Sequence, residues 1–146
     1  MIISKKGIDL IKEFEGLSLQ PYKCPAGKLT VGYGHVLKPT DTPQEITKEI
    51  AETLLNHDII KFEAYLKSVV DIKLTQGMYD ALVSLVYNWG CGNFGASKGL
   101  KMLNKNRLVD AAKEFFSKEL GVVNINDEFS EGLYRRRQAE LVLWQS

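Results

Sequence analysis

The sequence predicts an α+β protein, mostly helical, that is built from two lobes. Two observations carry this prediction. Apolar residues recur at helical spacing before position 17 and again after position 47. Between them, proline and glycine interrupt short strand-like runs such as "KLTVGY". A small sheet inserted between helical segments indicates two lobes, and two lobes usually enclose a cleft.

The first helix is predicted to start after Ser4, whose side chain can cap it, and to end before Gly16. Glycine just past a helix end readily adopts the left-handed conformation that stops the helix. The small β region is predicted over residues 17–37.

The remainder of the chain is predicted to be helical. The clearest stripe of apolar residues belongs to a core helix and comprises Met78, Leu82, Leu85, Val86 and Trp89. The glycine-rich run "GCGNFGASKG" is expected to break the chain, and further helices follow around Leu108–Phe115 and over "LYRRRQAELVLW". As a single domain, the chain divides into an N-terminal lobe over 1–53, a connecting helix over 54–68 and a helical C-terminal lobe over 69–146.

Composition excludes several classes of function. The 146 residues carry a formal net charge of +1, which gives little attraction to nucleic acid or another polyanion. No run of 18 apolar residues predicts a transmembrane helix, and the start of the chain lacks the apolar core of a signal peptide. Cys24 and Cys91 are interpreted as free thiols, and with only two histidines the sequence predicts no metal site and no cofactor.

Glu15 is the first candidate catalytic residue. It lies at the predicted end of the first helix, where the negative end of the helix dipole opposes ionisation of a carboxyl group, and beside Phe14, which would remove water. Both effects raise the pKa of a carboxyl group, and a general acid needs a raised pKa. The alternative is an ordinary solvated glutamate at a helix end.

Other polar residues are ambiguous when taken singly. Thr30 is as easily a plain strand residue as a group that holds water, and His35 suits a structural hydrogen bond better than a metal site. The run 135–137 of three arginines suggests nucleic acid less than it suggests ion pairs, because Glu140 lies three and four positions after two of them.

The arrangement of these residues is more specific than any one of them. Glu15, Cys24 and Thr30, followed by Gly-Tyr-Gly-His, resemble the catalytic segment of the phage-type lysozymes, the muramidases of glycoside hydrolase family 24. The segments "LTQGMYDALVSLVYNWGCGNFGASKGLKMLN" and "GLYRRRQAELVLW" are similar to the central and C-terminal segments of that family. The resemblance therefore covers nearly the whole chain.

This resemblance implies a lysozyme-like fold and a substrate, the β-1,4 bond between N-acetylmuramic acid and N-acetylglucosamine in bacterial peptidoglycan. It implies that Glu15 is the general acid, that Thr30 positions the attacking water and that Cys24 assists it. Asn88 matches a family position that binds sugar, although a helix cap before Gly90 explains it equally well.

The resemblance also implies supporting roles. His35 is expected to pair with Asp58, and one of Arg135, Arg136 and Arg137, most plausibly Arg136, is expected to contact Glu15.

Cys24 stands where many relatives have aspartate. A free thiol titrates near roughly 8.5, so few molecules would carry a thiolate at neutral pH unless the pKa is lowered. A thiolate that attacks carbon directly would give a covalent intermediate and retention instead of inversion. A buried cysteine without a role is the third interpretation.

The sequence thus predicts an endolysin that acts as a monomer on peptidoglycan, without nucleic acid, cofactor or stable membrane insertion. It would be held in the host bacterial cytoplasm until a holin opens the membrane. The alternatives are a lytic transglycosylase on the same scaffold and a muramidase-like domain that binds peptidoglycan without cutting it.

Overall fold

The computed structural model describes all residues from Met1 to Ser146 and confirms the predicted α+β class, with seven helices and two small antiparallel sheets. The helices are α1 Lys5–Glu15, α2 Lys48–Val69, α3 Gln76–Trp89, α4 Cys91–Gly95, α5 Lys98–Asn104, α6 Leu108–Phe116 and α7 Glu131–Trp144. The strands are β1 Ser18–Lys23, β2 Leu29–Gly32, β3 His35–Val36, β4 Asn124–Ile125 and β5 Glu128–Phe129. None of the helices is both long and apolar enough to cross a bilayer.

Two compact units make up the chain. The sheet unit is Ile11–Lys61, and the helical unit is Met1–Leu10 together with Phe62–Ser146. The lobe boundaries expected from the sequence, 1–53, 54–68 and 69–146, stay a prediction, and the names used below follow the compact units.

The sheet unit contains the predicted β region. Strands β1, β2 and β3 form an antiparallel sheet in chain order, with Tyr22 opposite Thr30 and Val31 opposite His35. Val31 is buried, and so are Ala51 and Leu55 on the part of α2 that belongs to this unit. Because successive side chains of a strand point to opposite faces, the side chains of Val31 and Thr30 lie on different faces of the sheet.

The helical unit has α3 at its core. Ten consecutive residues of α3, from Gly77 to Val86, are buried, as expected of a helix that is covered on all sides. Next to it runs a row of rings, in which Phe94 stacks on Phe115 at 5.5 Å and Phe116 meets Trp144 edge-on at 5.6 Å. Met78, Leu82, Leu85 and Val86 of the predicted apolar stripe are therefore confirmed as core, whereas Trp89 is half-buried.

The segment before α1 is bound to the helical unit through two carboxylates. Asp80 accepts from the Ser4 backbone N–H at 2.9 Å and from the Ser4 hydroxyl. Glu63 accepts from the Ile3 backbone N–H and from the Tyr79 hydroxyl, both at 2.8 Å. The Ser4 side chain is expected from the sequence to cap α1. In the structure its hydroxyl forms a tertiary hydrogen bond to the buried carboxylate of Asp80.

Two other features differ from the sequence prediction. The expected glycine-rich break contains the short helix α4, which begins directly after Gly90. The hairpin of β4 and β5 is not foreseen at all. Its turn residues Asn126 and Asp127 have φ values of 50° and 65°, a conformation that asparagine and aspartate tolerate better than most residues.

The arginine run of α7 forms the predicted ion pair. Arg137 and Glu140 are both fully buried, and Arg137 donates through Nε at 2.6 Å and through a terminal nitrogen at 3.2 Å. A second terminal nitrogen of Arg137 donates to the carbonyl of Val122 at 3.3 Å. Burial raises the pKa of the Glu140 carboxyl, and the positive charges of Arg137 and Arg136 act against that effect.

Glu140→Gln should lower the free energy of unfolding by about 3–5 kcal/mol, because it removes the negative charge of the carboxylate that the buried guanidinium of Arg137 contacts. Urea denaturation followed by circular dichroism measures the loss. The matched control is Asp9→Asn in the exposed pair Lys5–Asp9, at the similar distance of 2.7 Å, where a change below about 1 kcal/mol is expected. Equal losses in the two variants would contradict the assignment.

Candidate active site

Glu15 ends α1 within the sheet unit, and its carboxyl group packs against the backbone of Gly34. A methyl group added to Gly34 would collide with the Glu15 carboxyl oxygen. Gly34 also has a φ of +76°, a region in which other residues are strained. Gly16 has a φ of +70° and ends the helix directly after Glu15, as predicted. Two left-handed glycines therefore set the place of this carboxyl group.

A polar contact one turn earlier holds this end of α1. Lys12 lies 2.7 Å from the Glu52 carboxylate on α2, and the Tyr33 hydroxyl donates to the same carboxylate at 3.3 Å. The Lys12 ammonium also lies 5.5 Å from the centre of the Tyr33 ring. The helix that carries Glu15 and the turn that carries Gly34 are thus joined through one carboxylate.

The hairpin of β1 and β2 brings three polar side chains together. Tyr22 is paired with Thr30 across the strands, so both side chains lie on the same face, and Cys24 follows Tyr22 by two positions. The Tyr22 pKa is raised by burial and then by the charges of Glu15 and Cys24. Tyr22 therefore lies within electrostatic reach of both predicted catalytic groups.

The loop between these strands supports a thiolate at Cys24. The pKa of the Cys24 thiol is lowered, first by the Lys28 backbone N–H, and further by the Ala26 N–H and the Thr30 hydroxyl, while burial acts in the opposite direction. The Thr30 hydroxyl also lies 3.1 Å from the carbonyl of Lys28. Since this hydroxyl has one hydrogen, it donates either to that carbonyl or to the sulfur.

His35 on β3 is paired with Val31 across the strands and contacts Asp58 on α2. His35 Nδ1 is 2.7 Å from an Asp58 carboxylate oxygen, the contact that the resemblance implies, and both side chains are largely buried. Nowhere do three or more histidine, cysteine, aspartate or glutamate side chains come together in a way that would hold a metal ion.

Asn88 and Arg136 belong to the helical unit. Asn88 is exposed near the end of α3, where the helix is closed by the backbone N–H of Gly90, which donates to Val86 at 2.8 Å. Arg136 is 3% exposed and donates to the backbone carbonyl of Ser84 at 3.2 Å, whereas Arg135 is exposed. The implied contact between Arg136 and Glu15 stays a prediction.

Comparison with known proteins identifies the family. Residues 12–140 match the phage lysozyme family. An endolysin of Acyrthosiphon pisum secondary endosymbiont phage 1 is 42% identical over 146 residues, which are 100% of this chain and 99% of that protein. The chain belongs to the phage lysozyme family. An endolysin of Bacillus phage PZA is 41% identical over the whole chain, which spans 56% of that longer protein.

Two solved structures agree with this family. The muramidase domain of SpmX from Asticaccaulis excentricus matches with a TM-score of 0.85 at 34% identity, covering 99% of this chain and 97% of that domain. A mutant of P22 lysozyme matches with a TM-score of 0.82 at 32% identity, covering 100% of this chain and 99% of that one. The lysozyme-like fold expected from the sequence is confirmed.

The structure groups Glu15, Cys24 and Thr30 in one unit and adds Tyr22, which sequence reasoning missed. The signal that could have found it is its place in the sequence, since Tyr22 lies in the predicted β region two positions before Cys24. The pairing partner Thr30 follows only from the register of the hairpin.

The two cysteines should titrate at different pH values. In a Cys91→Ser background, alkylation of Cys24 should reach half its maximal rate below the pH typical of a cysteine thiol, because hydrogen-bond donors stabilise the thiolate. In a Cys24→Ser background, Cys91 should titrate above that pH, because burial raises its pKa. The rate of reaction with iodoacetamide across a pH series measures both.

Thr30→Val in the Cys91→Ser background should move the Cys24 midpoint upward, because the thiolate loses one donor while the side chain keeps its shape. An unchanged midpoint would show that Thr30 donates only to the Lys28 carbonyl.

Proposed function

We propose that this protein is a peptidoglycan hydrolase that cleaves the β-1,4 bond between N-acetylmuramic acid and N-acetylglucosamine, with Glu15 as the general acid. The observation that carries the proposal is the packing of the Glu15 carboxyl group against Gly34, beside a hairpin that holds Cys24 and Thr30. Relatives named endolysins and a structural neighbour named a muramidase domain support it.

Glu15 acts on the leaving group. Protonation of the glycosidic oxygen by Glu15 lets the bond break while positive charge develops on the sugar ring. Gly34 has no side chain, so its backbone approaches the carboxyl group closely and limits its movement. A carboxyl group held in one position transfers its proton without first losing conformational freedom.

Cys24 and Thr30 act on water. The Thr30 hydroxyl holds the water that attacks the anomeric carbon, and the Cys24 thiolate accepts a proton from it. The donors that lower the pKa of Cys24 increase the thiolate fraction, which compensates in part for the lower acidity of a thiol than of a carboxyl group. Attack by water gives inversion, whereas attack by the sulfur itself would give retention.

The remaining predicted residues position these groups or the sugar. Asn88 is exposed and able to hydrogen-bond a sugar, and the contact between His35 and Asp58 fixes the region after the Gly-Tyr-Gly turn. Arg136, which is held by Ser84 on α3, is proposed to place its positive charge beside Glu15.

The protein is proposed to act as a monomer on bacterial peptidoglycan, without nucleic acid, cofactor or membrane insertion. We place its synthesis in the host bacterial cytoplasm and its action on the wall after a holin has opened the membrane. Support for this route comes from the relatives named endolysins.

Glu15→Gln should abolish bond cleavage and leave the fold intact, because the amide keeps the shape of the side chain but has no acidic proton to transfer. Mass spectrometry of the fragments released from purified peptidoglycan measures cleavage, and circular dichroism checks the fold. Wild-type fragments should end in an ordinary reducing N-acetylmuramic acid.

Other products would change the assignment. Fragments with 1,6-anhydro ends would identify a lytic transglycosylase. Tight binding to walls without released fragments, under conditions in which another muramidase digests the same walls, would identify a binding domain. Cleavage by Glu15→Gln at the wild-type rate would remove Glu15 from the mechanism.

Gly34→Ala should lower kcat by about tenfold to a hundredfold, because the added methyl group displaces the Glu15 carboxyl group. Gly16→Ala is the matched control. It has a similar φ, +70° against +76°, but its methyl group would enter open space. Both variants should lose about 1–2 kcal/mol of stability from the left-handed backbone, and only Gly34→Ala should lose most of its activity. Equal activity losses would contradict the steric argument.

A further inference from the structure

The turn between β2 and β3 is attached to α2 on both sides of Gly34. Before Gly34, the Tyr33 hydroxyl donates to a Glu52 carboxylate oxygen at 3.3 Å. After it, His35 Nδ1 lies 2.7 Å from an Asp58 carboxylate oxygen. Both carboxylates belong to α2, and all of these residues lie within the sheet unit. The position of Gly34 is therefore set by two side chains of one helix.

Glu52 contacts α1 as well as the turn. The Lys12 ammonium is 2.9 Å from the carboxylate oxygen that accepts from Tyr33, and 2.7 Å from the second oxygen. Lys12 lies in the last turn of α1, where its carbonyl accepts from the Gly16 backbone N–H at 2.9 Å. One carboxylate thus connects the helix end that carries Glu15 to the turn against which the Glu15 carboxyl group packs.

This connection is charged and partly shielded from water. The Lys12 and Glu52 side chains are 29% and 33% exposed, and Tyr33 is buried. The hydrogen bond from Lys12 is the main cause that lowers the pKa of the Glu52 carboxyl, so this group is ionised at neutral pH. Hydrogen bonds to an ionised carboxylate are stronger than those between neutral groups. Both links to Glu52 are therefore able to resist movement of the helix end and of the turn.

We propose that Glu52 is a positioning residue for bond cleavage, because it holds the end of α1 and the turn of Gly34 at the separation that keeps the Glu15 carboxyl group in place. It acts through Lys12 and Tyr33. A displacement of a reacting group by about 1 Å can lower a rate by up to about a hundredfold, so a small shift of the turn would suffice. This inference rests on the proposed function, since it names the residue that positions the proposed general acid.

Tyr33→Phe and Lys12→Met each remove one of the two links. We expect kcat to fall about threefold to tenfold with KM unchanged, because the acid is displaced while the groups that bind sugar are not. Lys12→Arg keeps the charged donor and should stay within about twofold of the wild type. The matched control is Lys5→Met, which removes the exposed pair with Asp9 on the same helix and should leave kcat unchanged. Release of reducing ends from soluble, uncross-linked peptidoglycan strands measures both constants, and circular dichroism checks the fold.

Substitution of Glu52 itself tests the shared carboxylate. Glu52→Gln keeps the shape of the side chain but loses the charge, so kcat should fall about threefold to tenfold, again with KM unchanged. The matched control is Glu49→Gln, an exposed glutamate on the same helix, which should leave kcat unchanged.

Combined substitutions distinguish positioning from a general loss of stability. In Gly34→Ala the Glu15 carboxyl group is already displaced, so adding Tyr33→Phe should lower kcat by less than about twofold more. If Tyr33 contributed only to the stability of the fold, its substitution would lower kcat by the same factor in either background. Lys12→Met combined with Tyr33→Phe should likewise lower kcat by less than the product of the two single effects, because both links end at Glu52.

Wild-type kcat in Tyr33→Phe or Lys12→Met, a rise in KM with kcat unchanged, or an equal effect of Tyr33→Phe in the Gly34→Ala background would overturn the inference. The proposed function would still be supported in each case, provided that Glu15→Gln is inactive. Cleavage by Glu15→Gln at the wild-type rate would contradict the proposed function itself. The two failures are therefore distinguishable.

Discussion

The close approach of Gly34 to Glu15 is the constraint on which the site depends. It requires a residue without a side chain in a left-handed conformation, and Gly34 satisfies both requirements. Lys12 and Tyr33 meet at the Glu52 carboxylate and hold the helix and the turn on either side of this approach. A flexible glutamate at a helix end thereby becomes a carboxyl group with a defined position.

The proposed use of cysteine in place of a second carboxylate has a structural counterpart. Strand pairing places Thr30 opposite Tyr22, and the loop that joins the strands turns its backbone N–H groups toward the sulfur of Cys24. Backbone donors stabilise a thiolate as they would stabilise a carboxylate, because they respond to negative charge and not to the atom that carries it. The same hairpin is thus compatible with either residue.

The three arginines of α7 illustrate how one short run divides into different environments. Arg135 is exposed, Arg136 donates to Ser84 on α3, and Arg137 is fully buried with Glu140. Arg137 also donates to the carbonyl of Val122, shortly before β4. The buried charge pair is therefore also joined to the segment that leads into β4.

Periodicity and local backbone requirements sufficed to predict the α+β class, the end of α1 at Gly16 and the core helix α3, because apolar spacing and glycine conformation act over a few residues. The order of Glu15, Cys24 and Thr30 predicted the family. Only the tertiary structure decided that Ser4 donates to Asp80, that Tyr22 joins the candidate site, and that Lys98 forms an ion pair with Glu114. These contacts join residues whose proximity depends on strand register and helix packing. Neither can be predicted from the spacing of residues that are close in sequence.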